Sequence, residues 1–363
     1  MNEIIADFQI SHHAILDKNG QVISALPDFS LDKDRVIAMY SMMVQSRLFD
    51  AKAIALQRTG KLGTYPSVLG QEAMSVGIGA AMHQDDVFCP YYREIGAQFW
   101  RGVKMEEVLD YWGGNENGSD FDDPRVSKDF PCCVPIASQT LHAVGVATAL
   151  QYKNVPRAAV TIVGDGGTSR GDFYEAINVA GVWNLPVVFV VNNNNWAISV
   201  NSKNQTMAQT FAQKGIAAGI PCRRIDGNDL LVVRSAMEEA LNKAYTGGGP
   251  TLIEMLSYRM CDHTTADDAS RYRDPQELEQ KKELDPINRM KAFLEHQHGY
   301  SKSDEDALYE KCNAMIADSV AIYLGREKRS AVEMFDYLYE TLPNSYHEQR
   351  EEIAYYESTN NVS

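Results

Sequence analysis

Two stretches decide the fold. The first is Ala158-Ala159-Val160-Thr161-Ile162-Val163, running directly into Gly164-Asp165-Gly166-Gly167. The second is Leu185-Pro186-Val187-Val188-Phe189-Val190-Val191, running into Asn192-Asn193-Asn194-Asn195. Each apolar run is nearly continuous rather than alternating, so the strand it predicts is covered on both faces, as in a parallel sheet flanked by helices. Between them, Asp172 to Trp183 has helical spacing. Thr140 to Tyr152 precedes them as an Ala/Val helix. Beyond them, Leu230 to Tyr245 reads as a helix and Thr251-Leu252-Ile253-Glu254-Met255 as a strand. The expected fold class is α/β: a mostly parallel sheet with helices on both faces.

Outward from this centre, Val36, Ile37, Met39, Tyr40, Met43 and Val44 recur at threes and fours behind the first-turn acid Asp34, giving a long helix that Thr59-Gly60 ends. Gln71 to Met82 is a second helix with a small-residue face at Ala73, Gly77 and Ala80. Residues 113 to about 131 form the most loop-like tract, and the tail beyond 275 is helical and charged. The expected organisation is an N-terminal arm over 1–34, an α/β domain over 35–275 and a helical extension over 276–363. Small faces at Ala73-Gly77-Ala80 and Thr140-Val144-Thr148, and a C-terminal stripe at Phe335, Leu338 and Leu342, are candidate partner surfaces.

Composition narrows the functional classes. The 363 residues carry 34 Lys plus Arg against 49 Asp plus Glu, a net charge of -15, which argues against nucleic acid or an anionic membrane as partner. No apolar run approaches a bilayer span, and the acidic N-terminus has no basic region followed by an apolar one, so a cytoplasmic protein without a secretory leader is expected. Six cysteines without a C-x-x-C pair suit reduced thiols rather than zinc or a disulfide framework.

In an open parallel sheet, ligands gather beyond the carboxyl ends of the strands, which is where the Gly-Asp-Gly-Gly and tetra-asparagine tracts lie. Glycines admit a phosphate, and the helix that follows offers free N–H donors. A bare carboxylate beside phosphate would repel it. Asp165 makes sense if a hard divalent cation lies between, with an asparagine carbonyl and phosphate oxygens completing an oxygen shell. A nicotinamide fingerprint is absent because Ser169 stands where its third glycine belongs, and the P-loop pattern is also absent.

Gly164-Asp165-Gly166 followed by Asn193-Asn194 resembles the thiamin-diphosphate motif. Gly164 through Glu175, with Gly70-Gln71-Glu72-Ala73, Tyr92-Arg93-Glu94, Asp226-Gly227-Asn228-Asp229 and Tyr258-Arg259-Met260-Cys261-Asp262-His263-Thr264, resembles the α subunit of the E1 component of 2-oxo acid dehydrogenase complexes over about residues 35 to 345. The bacterial pyruvate enzyme is the nearest likeness, with branched-chain 2-oxo acid and acetoin dehydrogenases as alternatives. The resemblance implies Mg²⁺ held by Asp165 and Asn194 and by the main-chain carbonyl of Trp196. It implies diphosphate held by Tyr92, Arg93, Gly166 and Gly167 at the turn after Gly164, main chain near Ile136 against the aminopyrimidine, and a loop with Arg259 and His263 over the cofactor. His263 is the implied catalytic residue, and the neighbouring Asp262 is expected to raise or orient its imidazole. The implied partners are an E1 β subunit in an α2β2 heterotetramer, supplying the second half of the site, and an E2 lipoyl acyltransferase. The implied activity is oxidative decarboxylation of a 2-oxo acid with reductive acylation of the lipoyl group. A scaffold subunit without turnover is the rival from another class; intact Asp165, Asn194, Arg93 and His263 argue against it.

Overall fold

The structure, a computed structural model, describes residues 2–327 and 329–360. Its strands are β1 (His12–His13), β2 (Val87–Cys89), β3 (Ala159–Gly164), β4 (Val187–Asn193), β5 (Trp196–Ala197), β6 (Val200–Asn201), β7 (Cys222–Asp226) and β8 (Thr251–Leu256). Six of these make one sheet in the order β1-β7-β8-β4-β3-β2, with every neighbouring pair parallel, while β5 and β6 form a small antiparallel ribbon. The helices are α1 (Lys33–Arg58), α2 (Glu72–Ala81), α3 (Ile95–Arg101), α4 (Met105–Trp112), α5 (Ser138–Tyr152), α6 (Gly171–Trp183), α7 (Gln213–Ala217), α8 (Leu230–Tyr245), α9 (Pro275–Lys282), α10 (Pro286–His298), α11 (Lys302–Gly325) and α12 (Asn344–Asn360). The expected α/β class is what the chain adopts.

The near-continuous apolar runs have a simple cause. Side chains alternate across a sheet, and here each face meets a different apolar layer. Val160, Ile162, Val188 and Val190 join a core with α1, α2, α8 and α10. Ala159, Val163, Val187, Phe189 and Val191 join a second core with α5 and α6. β3 and β4 pair in register from Ala159↔Val187 to Gly164↔Asn192, so the glycine and asparagine tracts leave the sheet side by side.

Two edge features escaped sequence reading. β7 (Cys-Arg-Arg-Ile-Asp) is half polar because it lies between short β1 and β8, and only Ile225 is fully buried. β1 lies in the N-terminal arm, which Asp229 fastens: one carboxylate oxygen accepts from Ile15 N and Leu16 N, both at 2.7 Å, while the other caps α8 at Leu231 N and Val232 N. The loop-like tract from 113 to 131 contains two 3-10 turns and is pinned by a buried ion pair between Arg101 and Asp129 at 2.6 Å.

The small-residue faces are largely taken up by packing within the chain, with Ala80 and Thr148 left half-buried. On α2, a Cβ at Gly77 would stand 2.6 Å from Val233 Cγ1, so that face packs closely on α8. Thr140 and Val144 of α5 are likewise buried, leaving Leu141, Gly145 and Ala149 outward. The chain divides into two compact units, Met1–Val320 and Ala321–Ser363. In the second unit, Phe335 closes a 3-10 turn and is buried, whereas Leu338 is exposed, so the predicted helical stripe through Leu342 does not form.

Candidate functional site

Beyond the carboxyl ends of β3 and β4 lies a cavity of about 300 Å³. Tyr92, Arg93, Ile136, Gly164, Asp165, Gly166, Gly167, Asn194, Trp196 and His263 all line it. Arg259 stands just behind, with Nη1 3.4 Å from both His263 Nδ1 and the Trp196 carbonyl. The residues proposed for metal, diphosphate and catalysis therefore lie in or directly behind one cavity.

Local structure explains how. After β3 the chain enters a 3-10 turn, Asp165–Ser169, before α6. The turn is tight enough that a Cβ on Gly166 would lie 2.5 Å from Ala197 Cβ, and one on Gly167 would lie 2.3 Å from Val163 Cγ2. Glycine is required at both by close approach rather than by unusual φ. The four asparagines after β4 each take a separate task. Asn192 donates to Gln71 Oε1 (2.8 Å) and Tyr91 Oη (2.7 Å), and Asn193 donates to Glu254 Oε1 (2.8 Å). Asn194 donates to Gln71 Oε1 (3.1 Å), which orients its own carbonyl oxygen, and Asn195 adopts φ 70° to turn the chain into β5.

The electrostatics of the cavity are unbalanced. Asp165 is 1% exposed and accepts from Gln205 Nε2 at 2.8 Å, but no basic side chain pairs with it among the described residues. Burial pushes its carboxyl up to about 6. Arg93 and Arg259 are also buried, and neither forms an ion pair with a carboxylate among the described residues. Arg93 donates to the Ser67 carbonyl, and its Nη2 reaches the His263 carbonyl (2.6 Å) and Nδ1 (2.9 Å). Arg259 donates to the Ile198 carbonyl (2.8 Å) and Tyr272 Oη (2.7 Å). Among the described residues at this cavity, one carboxylate and two guanidiniums thus lie buried without an ion-pair partner. Unpaired charge of this kind is costly unless a ligand completes it.

These groups fit a cation bound to an anion. Asp165, the side-chain amide of Asn194 and the main-chain oxygen of Trp196 are oxygen donors of the kind a hard cation takes alongside the oxygens of its own ligand. The guanidiniums suit a diphosphate, whose oxygens accept from planar forks.

His263 departs from expectation. Burial first, then Arg93 and Arg259, hold its imidazole down at about 3. Asp262 does not raise it: its carboxylate turns away to accept from Ala269 N at 2.9 Å, and Asp267 instead accepts from the His263 backbone N–H at 2.7 Å. Because Nδ1 accepts from Arg93, the neutral ring carries its proton on Nε2.

Sequence reading missed Gln205, which holds Asp165, and Gln71, which aligns two asparagines. Gln71 fell inside a quoted landmark. Gln205 lies 40 residues beyond its partner in an irregular segment, with no spacing to signal it. Lys214 was also missed. It is buried without a carboxylate and donates to the Thr168 carbonyl and hydroxyl, both at 2.8 Å, bracing the turn from behind.

The cavity's chemistry agrees with comparison to known proteins. The family described as dehydrogenase E1 component matches residues 40–327. Pyruvate dehydrogenase E1 component subunit alpha of Mycoplasma genitalium is 38% identical over 339 residues, covering 93% of this chain and 94% of that protein. The protein of the same name from Acholeplasma laidlawii is 38% identical over 344 residues (94% and 99%), and that of Staphylococcus aureus is 37% identical over 340 residues (93% and 91%). Matched along most of its length by family and relatives alike, the chain belongs to the dehydrogenase E1 component family.

Proposed function

We propose that this chain is the α subunit of a pyruvate dehydrogenase E1 component and holds thiamin diphosphate and Mg²⁺ in the cavity beyond β3 and β4. The family depends on thiamin diphosphate. The observation that carries the reading is the set of unpaired buried charges: Asp165 on one side, Arg93 and Arg259 on the other. A metal diphosphate answers both at once. Asp165, Asn194 and the Trp196 carbonyl would hold the metal. Tyr92, Arg93, Gly166 and Gly167 would hold the diphosphate, with Arg259 behind them, and main chain at Ile136 would face the pyrimidine.

When bound, thiamin diphosphate supplies a nucleophilic carbon and an electron sink for decarboxylation. The chain's own residues do the rest. Gln205 and Gln71 aim the oxygens of Asp165 and Asn194, and the tight turn keeps side chains out of the diphosphate's place. Burial, with the two guanidiniums, holds His263 neutral, so it presents an Nε2–H as donor to charge developing in the cavity. The names of the relatives favour pyruvate over a branched-chain acid or acetoin.

The mouth of the cavity supports a partner. Val134, Ile136 and Ile198 are exposed there or beside it, an apolar rim suited to another chain. We assign it to an E1 β subunit in an α2β2 assembly, which delivers acyl groups to the lipoyl arm of an E2 acyltransferase. All six cysteines are free, and no helix among the described residues is long and apolar enough to cross a membrane. Both suit the proposed cytoplasmic setting.

The test is co-expression with the β subunit, followed by dye reduction dependent on pyruvate, 2-oxoisovalerate or acetoin. Fastest turnover with pyruvate, requiring both thiamin diphosphate and Mg²⁺ and lost in Asp165→Ala, is expected. Turnover without thiamin diphosphate would overturn the assignment, and preference for another substrate would replace pyruvate.

A further inference from the structure

A second cleft, of about 340 Å³, opens at the opposite end of the sheet. Cys222 and Thr251, the first residues of β7 and β8, lie in its wall. The cavity proposed for the cofactor is at the strands' other ends, about 20 Å away at about 3.3 Å per residue.

The side chains around this cleft come from four elements. Arg223 of β7 donates through Nη1 to Glu239 of α8 at 2.7 Å. Lys243, one turn along α8, donates to the Pro250 carbonyl (2.6 Å) and Thr251 Oγ1 (3.1 Å). From the arm, His13 Nε2 meets Ser11 Oγ at 2.7 Å. The pleat sets this group together, because His13 pairs with Ile225, which shares a strand face with Arg223.

The chain carries -15, yet this cleft holds two cations against one carboxylate: Glu239 pairs with Arg223, and its side chain is 66% exposed. Lys243 forms no ion pair among the described residues, and burial, reinforced by Arg223, holds its ammonium below the usual range. A half-buried ammonium with spare donor capacity next to a guanidinium is a setting for an anion. The lining residues come from several elements, and a phosphate group, with oxygens pointing in several directions, can accept from more than one of them.

We propose that this cleft binds a small phosphate-bearing anion, with Arg223 and Lys243 as its cationic contacts and Ser11, His13 and Thr251 as neutral ones. Binding there would tie the N-terminal arm to β7 and α8. The site does not depend on what occupies the larger cavity.

The test is calorimetric titration of the full chain with inorganic phosphate at constant ionic strength, against chloride as control. Saturable millimolar binding is expected, weakened at least tenfold in Arg223→Gln and in Lys243→Gln. Glu239→Gln should tighten it severalfold by freeing Arg223. That variant removes only an exposed carboxylate, so it stays informative if Lys243→Gln loosens the chain near Pro250. Arg93→Gln, which removes any phosphate held in the other cavity, should leave unchanged the component that Arg223→Gln weakens. Glycerol phosphate titrated in parallel separates an organic phosphate from the free ion, and binding of either supports the cleft. The proposal fails if neither binds, if Arg93→Gln alone abolishes binding, or if Glu239→Gln leaves affinity as it was.

Discussion

Asp165→Asn tests the charge argument more sharply than any deletion. The substitution keeps the shape of the side chain and removes only its charge. In the chain without ligands, the buried carboxyl is pushed from 3.8 up to about 6. One unit is worth about 1.4 kcal/mol, so holding the group ionised costs the folded state about 3 kcal/mol once the pH exceeds 6. The sign follows from the raised value: the folded chain binds the extra proton, so stability falls as pH rises between about 4 and about 6. Asparagine escapes this cost. Stripped of metal at pH 7.5, the variant should therefore be the more stable protein. With unfolding entropy near 2.1 cal/mol/K per residue, its thermal midpoint should rise by about 4 °C. At pH 4.5, where the native carboxyl is protonated, most of that gain should vanish. Adding Mg²⁺ and thiamin diphosphate should reverse the order: at about a thousand times the Kd the native chain gains about 4.1 kcal/mol, more than the variant's lead, while the variant gains little. Scanning calorimetry of both proteins at two pH values, with chelator or with metal and cofactor, reads all four quantities. A variant less stable than the native chain at pH 7.5 without metal, or one stabilised by cofactor as strongly as the native chain, refutes the reasoning.

Other perturbations should act in definite directions. Arg93→Gln removes a cation 2.9 Å from His263 Nδ1, so the imidazole should titrate closer to 6.5, which the histidine ring resonances in an NMR pH titration will show. Gly167→Ala drives a Cβ to 2.3 Å from Val163 Cγ2; it should cost about 1–3 kcal/mol in stability and weaken cofactor binding, both measurable by thermal shift. Gln205→Leu takes away the side-chain donor to Asp165, so Mg²⁺-dependent cofactor retention should drop at pH 6 more than at pH 8, as equilibrium dialysis will report. Asp229→Ala leaves the amides of Ile15 and Leu16 and the start of α8 unpaired; a loss of about 3 kcal/mol and rapid amide exchange at residues 12–16 are expected.

The parts of this protein that were legible share a cause. β3 and β4 are apolar on both sides because both sides are covered, and the tracts that follow them lie where an open parallel sheet binds ligands. Composition and spacing carry that information. The helix from Leu230 to Tyr245 was read to the residue because Asp229 caps it and its apolar face is continuous. What stayed hidden depends on long-range contact. β7 looks polar because only its place beside β1 and β8 makes it a strand. Whether Ala73 and Gly77 face a partner or α8 is decided by Val233, more than 150 residues away. The depression of His263 is set first by its burial and then by two arginines, one of them 170 residues distant, and not by the aspartate next to it in the chain.

The placement of β1 also bears on how the molecule comes into being. His12 pairs with Arg224, so β1 docks on a strand that follows it from the ribosome roughly 200 residues later. At about 5–20 residues per second, the arm waits about 10–40 seconds for its neighbour. Meanwhile β2, β3 and β4 can already associate, and the arm joins as one of the last pieces of the sheet. Extensions fused ahead of residue 12 should therefore delay this final docking while leaving early assembly of the sheet's centre untouched.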